Sequence, residues 1–196
     1  MGLSALVVRA VMALAAVAAL RRVHPALGVA GAPVVAALWT AAGVYFPDLD
    51  LLLPLDHRSI LTHSILPALV LARLGGRPAA GGLGVGTGIH LSADLFPEEW
   101  TGFALVQVPL AGSLDAFSPW WILGNAVLAT VLGVAWLRTA LPGAAMGRAF
   151  HLGIAALAGW YLLVEEGSLL APVVFAGCFA LAVRLSAPRG ATGRTA

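Results

Sequence analysis

The sequence predicts an all-α, polytopic transmembrane helix bundle of six to seven helices. Three observations predict it. Hydrophobic residues make up 60% of the 196 positions and charged residues 10%, and mean hydropathy is +0.94. A soluble domain carries roughly a quarter charged residues, so this chain cannot cover a water-facing surface and the bilayer is its expected solvent. Second, seven segments are apolar enough to be helices in lipid: about 2–20, 25–46, 57–74, 79–95, 121–137, 149–164 and 168–184. Third, the arginines between them alternate in a way that fixes a topology.

The first segment could be a signal peptide, but Arg9 sits inside it rather than in a basic leader region, and Arg21 and Arg22 follow it. A retained helix fits better. The second segment ends at the quoted run "YFPDLDLLLPLDHRSILTHS", where three aspartates, two histidines and an arginine interrupt the apolar chain. The third segment starts inside that run, with Asp56 as a candidate N-cap. The fourth contains "GLGVGTG" (82–88). This imitates a nucleotide loop but lacks a preceding strand and a Lys-Ser/Thr ending. Small residues at that spacing instead let membrane helices approach closely, and Gly86 lies one turn before His90. Between Phe96 and Trp120 the chain is too broken by Pro and Gly to span; it is expected to lie over the outer mouth of the bundle, as a lid or as an interfacial linker. The fifth and sixth segments carry Trp121, Trp136 and Trp160 near their ends, with Trp120 just before them, as an aromatic belt requires.

Arg21, Arg22, Arg73, Arg77, Arg138, Arg148, Arg184, Arg189 and Arg194 all fall on one side of seven crossings. The positive-inside rule makes that side the cytoplasm. The N-terminus is then outside and the C-terminus cytoplasmic. The nine acidic residues fall on the other side, and Glu165–Glu166 there reads as a solvated outer turn. The expected organisation is one transmembrane domain over 1–186, a motif core at 43–96 and a short cytoplasmic tail, 187–196.

Several classes are excluded or weakened. One cysteine, Cys178, rules out an internal disulfide and a cysteine-built zinc site. Net charge is only +2 and the basic residues form no patch, so no nucleic-acid partner is expected. His24 and His151 sit at the predicted cytoplasmic face, away from other ligand types, and read as interfacial residues.

The chemistry concentrates elsewhere. His90 and Asp94 are four residues apart and share one helix face, with His90 about 6 Å deeper. On the preceding segment His63 lies about 9 Å below His57, at a depth similar to His90. Asp48, Asp50, Asp56 and His57 hang between the second and third segments. Imidazole with carboxylate suits zinc, manganese or iron, and six candidate ligands, Asp48, Asp50, His57, His63, His90 and Asp94, suffice for one or two ions. Helical phase raises a difficulty: His57 and His63 are about 120° out of register on one helix. Either His57 precedes the first turn, or Asp56, Ser59 and His63 form the inward stripe. A packing histidine, a capping Asp48 or Asp56, and Arg58 as structural glue are the ordinary readings of these residues singly.

The order "PDLD", "HRSILTHS", "HLSADLF" (47–50, 57–64, 90–96) resembles the bacterial and archaeal family of LexA-binding, inner-membrane-associated metal-dependent hydrolases. The resemblance covers about residues 43–96. It implies a membrane hydrolase whose polar site holds Asp48, Asp50, His57, His63, His90 and Asp94, with Arg58 and Thr62 beside it. Family members often continue the last motif with a Thr and a Gly soon after the Asp; this chain has Phe96–Pro97 where the Thr is expected.

The expected function is a metal-dependent hydrolase acting on a phosphoester or lipid headgroup at the extracytoplasmic face. His63, His90 and Asp94 would be core ligands. Asp48, Asp50 and His57 would complete a second metal site or act as base, and Arg58 would neutralise developing negative charge. The alternative is a metal-binding transporter or sensor without hydrolysis. A third reading is a structural ion cluster that locks three helices.

Overall fold

The computed structural model describes residues 31–53, 55–74, 76–141 and 143–186. The first predicted segment, His24 and the 187–196 tail lie outside them. The described chain is all-helical apart from loops and a two-stranded hairpin of two residues per strand, Gln107–Val108 with Gly112–Ser113. Its α-helices are α1 (Gly31–Tyr45), α2 (Leu66–Leu74), α3 (Arg77–Ala93), α4 (Ser118–Ala140), α5 (Gly143–Trp160) and α6 (Ala171–Leu185).

The helix α3 is the centre of the bundle. It is buried along 79–92, although it has little apolar bulk, because its glycines are where its neighbours enter. A Cβ on Gly82 or Gly86 would overlap the α1 carbonyls of Ala36 and Thr40, and one on Gly43 would come within 2.6 Å of the Leu83 carbonyl. On the other flank a Cβ on Gly84 would lie 2.9 Å from the Ala129 carbonyl of α4, and one on Gly133 would lie 2.8 Å from the Val85 nitrogen. Close backbone approach through small residues is how helices associate where lipid removes the hydrophobic drive between them.

The ends of the helices separate charge. Asp48 and Asp50 follow α1, Asp94 caps α3, Asp115 precedes α4, and Glu165 and Glu166 follow α5. Arg73, Arg77, Arg138, Arg148 and Arg184 stand at the opposite helix ends, where Arg138 of α4 donates to the Val183 carbonyl near the end of α6. Two helical stretches, Asp115–Ala140 and Gly143–Glu165, are long and apolar enough to cross a membrane. Large side chains such as Val70, Leu128, Leu152, Val164 and Val173 are exposed on the outer helix faces.

The expected helix over 57–74 is corrected. Residues 57–65 are turns, and α2 begins only at Leu66. Two features break the helix here. Asp56 and Arg58 adopt left-handed backbone, with φ of 61° and 58°, which a helix cannot include. Asp50 also draws the Ser59 N–H and the Thr62 hydroxyl to its own carboxylate, at 2.9 and 3.0 Å, a competition that favours turns over helix. Asp56 is exposed and caps no helix. The inward stripe of Asp56, Ser59 and His63 does not exist, since Ser59 and His63 are buried while Asp56 is not. A buried non-helical segment must find partners for its backbone. Here α4 supplies them: Trp121 Nε1 donates to the His63 carbonyl at 3.0 Å, and Asn125 Oδ1 accepts from the Ile65 N–H at 3.0 Å.

Candidate metal centre

The 3₁₀ turn Pro47–Leu52, the 57–65 turns and the C-terminal end of α3 meet at one point. Proline at 47 ends α1 and starts the turn, which brings Asp48 beside α3 and buries Asp50. His63 is fully buried and His90 nearly so. Their Nε2 atoms each lie 3.3 Å from Asp94 Oδ2, and Asp48 Oδ1 lies 3.7 Å from His90 Nε2. One ligand atom from each of Asp48, His63 and His90 falls within 4.8 Å of the others. Ligand atoms about 2.0–2.1 Å from a tetrahedral ion stand about 3.3 Å from one another, so the spacing fits a single cation.

The outward atoms are fixed by what the inner atoms bond. His63 Nδ1 lies 3.1 Å from Asp50 Oδ2. His90 Nδ1 lies 2.9 Å from the Val44 carbonyl and 3.0 Å from the Tyr161 hydroxyl. A carboxylate or a backbone carbonyl behind Nδ1 holds the proton there and leaves the Nε2 lone pair facing the centre, as in metal-ligating histidines generally. Arg58 Nη2 donates to Asp94 Oδ1 at 2.9 Å and Nη1 to the Ala104 carbonyl at 2.7 Å, which turns Asp94 Oδ2 inward.

Six buried side-chain atoms have no hydrogen-bond partner among the described residues: Asp50 Oδ1, His57 Nδ1, Arg58 Nε, His63 Nε2, His90 Nε2 and Asp94 Oδ2. All belong to this cluster. Three face the point between His63, His90 and Asp94. Two others, His57 Nδ1 and Asp50 Oδ1, face each other at 3.6 Å. Burial opposes ionisation of Asp50, but the imidazoles of His57 and His63 and the Ser59 N–H hold its carboxyl well below the usual carboxylate range.

All the residues expected at the site are brought together, with different tasks. Asp50 Oδ2 is taken up by Ser59, Thr62 and His63, so it orients His63, and only Oδ1 is left to face a ligand. Thr62 sits behind Asp50, bonded to it. His57 is the partly exposed ring, 23% accessible, with Phe103 of the 96–117 loop 6.2 Å away. That loop covers the centre: Arg58 reaches its Ala104 carbonyl and stacks 5.7 Å from the Trp100 ring, and Gln107 pairs with the backbone of Arg58 and Ile60. Asp56 stays outside the centre.

Sequence reasoning missed Tyr161 and the Val44 carbonyl. Tyr161 follows Trp160 in an apolar span, where nothing in the sequence marks it. A π-helical turn, Tyr161–Glu165, closes α5, and such turns re-aim side chains at functional sites. Glu165, expected to be solvated, accepts a hydrogen bond from the Tyr45 hydroxyl at 3.2 Å.

Replacing Asp50 by asparagine is expected to weaken metal binding about 10–100-fold, the usual cost of losing an orienting carboxylate. Competition titration against a chelator measures it, and unchanged affinity would make Asp50 a scaffold residue only. No protein-family model, curated protein or solved structure matches this chain.

Proposed function

We propose that the protein is a membrane-embedded, metal-dependent hydrolase that acts on a phosphoester, foremost a lipid headgroup, at the extracytoplasmic face of the cytoplasmic membrane. The observation that carries this reading is the convergence of three buried ligand-type atoms, His63 Nε2, His90 Nε2 and Asp94 Oδ2, on one point beside Asp48, with no hydrogen bond among the described residues. A buried unsatisfied group costs about 1–3 kcal/mol, and without an ion these three have only one another, at 3.3 Å. A cation between them would satisfy all three. Two imidazoles with Asp94 and Asp48 form a donor set for zinc, manganese or iron, and the Asp50–His57 pair offers room for a second ion. When bound, such a metal supplies Lewis acidity and an activated water.

The chain's own residues have distinct tasks in this reading. Asp50, through His63, and Val44 with Tyr161, through His90, hold the ligands in place. His57, at the accessible edge, is placed to take up or return a proton. Arg58 fixes Asp94 and retains one free donor, Nε, for a phosphoryl oxygen. The 96–117 loop limits water. Membrane embedding is supported by the two spanning-length helices, the exposed apolar faces and the arginines gathered at one set of helix ends. The three ordered motifs that resemble the LexA-binding, inner-membrane-associated hydrolases support the same reading. Transport would need a polar path beyond His90. There Thr40 and Thr130 donate to the Ala36 and Ala126 carbonyls of their own helices, and the helices close on one another through glycine.

The test is metal analysis of purified protein, followed by turnover of a chromogenic phosphodiester and of phospholipid vesicles. Absence of metal would remove the reading; metal without turnover of either substrate would favour a sensor or transporter. With metal saturating, Arg58→Gln is expected to slow phosphodiester turnover about 100–1,000-fold, the scale for losing one donor to a developing anion. Unchanged turnover would assign Arg58 to structure.

A further inference from the structure

At the opposite end of the bundle from the metal centre, α4, α5 and α6 line an open-sided cavity of about 440 Å³. Its polar lining is Arg138, Arg148 and His151. Gly143, Ala144 and Gly147 make room for it by contributing almost no side chain, and Leu137, Leu141 and Val183 form its apolar wall. We propose that this cavity binds the headgroup of an anionic phospholipid. The proposal rests on the membrane reading of the bundle and not on the metal centre.

Four observations argue for it. Among the described residues the lining carries two guanidinium groups and no carboxylate, so their positive charge is not balanced within it. Arg138 is anchored, its Nη1 donating to the Val183 carbonyl at 3.2 Å and Ser186 Oγ at 3.3 Å. An anchored guanidinium loses less freedom on binding a phosphate and offers a planar fork to its oxygens. His151 is steadied by an edge-on contact with Phe179, with ring centroids 5.3 Å apart. Finally, the two helices α5 and α6 that line the cavity also expose large apolar side chains, Leu152 on α5 and Leu181 and Leu185 on α6. A free phosphate would use only the arginines, whereas an amphiphile can use the arginines and apolar side chains of the same helices. Basic pockets between helices on the arginine-rich face are suited to anionic headgroups. A zwitterionic lipid would bring its ammonium toward the same two arginines and be disfavoured.

The full-length protein in detergent can be titrated with phosphatidylglycerol, phosphatidylcholine or inorganic phosphate, and read by native mass spectrometry and thermal unfolding. One phosphatidylglycerol per chain is expected to be retained in preference to phosphatidylcholine. Arg148→Gln, a change at an exposed position, is expected to weaken that retention about fivefold, on the scale of one arginine at a lipid surface. Arg138→Gln should do at least as much, while Arg73→Gln, at the same end but outside the cavity, should leave retention unchanged. Metal content should be unaltered in all three, and the Arg148 variant should melt like the parent without lipid. Equal retention of the two lipids would overturn the proposal. So would unchanged retention in Arg148→Gln, or a shift with millimolar phosphate as large as that with phosphatidylglycerol.

Discussion

His63→Ala is expected to empty the metal centre: elemental analysis of the purified variant should fall from about one or two ions per chain to background. His63 is the residue on which both halves of the centre depend. Its Nε2 faces Asp94 Oδ2 at 3.3 Å, and its Nδ1 rests on Asp50 Oδ2 at 3.1 Å. Losing it removes a ligand and also frees the carboxylate that organises the 57–65 turns. Losing a group that merely orients a ligand costs about 10–100-fold in affinity, so loss of the ligand itself should exceed that. Phosphodiester turnover should disappear with the metal. Because a cavity is left in a fully buried position, unfolding must be followed as well, and Asp94→Asn provides the complementary variant. It keeps the shape of the side chain, removes the charge facing both histidines, and leaves Arg58 without its 2.9 Å ion-pair partner. A centre that still holds metal after both changes would place the ligands elsewhere and end the hydrolase reading.

The second large effect is expected far from any ligand. Gly86→Leu should destabilise the bundle and weaken the metal centre together. A Cβ at Gly86 overlaps the Thr40 carbonyl and comes within 2.7 Å of Gly43 Cα. These are backbone atoms, so no side chain can turn aside and α1 itself must move. Overpacking typically costs about 1–3 kcal/mol, and each kcal/mol lowers the melting temperature of a chain this size by roughly 2–4 °C. The displacement also draws the Val44 carbonyl away from His90 Nδ1, which it meets at 2.9 Å. Gly124→Ala, facing open space on α4, is the control expected to leave metal content unchanged and melting no lower than the parent's, since alanine favours a helix over glycine. Normal metal affinity in a destabilised Gly86→Leu would separate helix packing from the orientation of His90.

The pairing of His90 with Asp94 was legible because its spacing is local. His90 and Asp94 stand one helical turn apart, and a helix with that spacing puts both on one face whatever surrounds it. Gly86 announced a close neighbour for the same reason. The third segment was misjudged because its apolar content suits a helix, while the forces that unwind 57–65 are not local. They come from Asp50 on the preceding turn, from Trp121 and Asn125 on α4, and from Gln107 on the covering loop. The phase conflict between His57 and His63 was the visible trace of this, since on an unwound segment the two need share no helical register. The ordering of roles was likewise hidden. Nothing in "PDLD" says that the second aspartate turns its carboxylate to His63 while the first looks to His90.

Composition and periodicity by themselves determined that this chain is a bundle of apolar helices, with Arg73, Arg77, Arg138, Arg148 and Arg184 at the helix ends opposite its described acidic residues. They also determined that its ionisable chemistry is gathered around residues 48 to 94. These follow from transfer of side chains between water and an apolar medium, which depends on residue type and needs no partner. Only the tertiary structure decided which nitrogen of each histidine faces the centre, that Tyr161 stands behind His90, and that the arginines of α4 and α5 share a cavity with His151. Those are outcomes of directional contacts between segments up to 71 residues apart, and direction is set by the packing of whole helices.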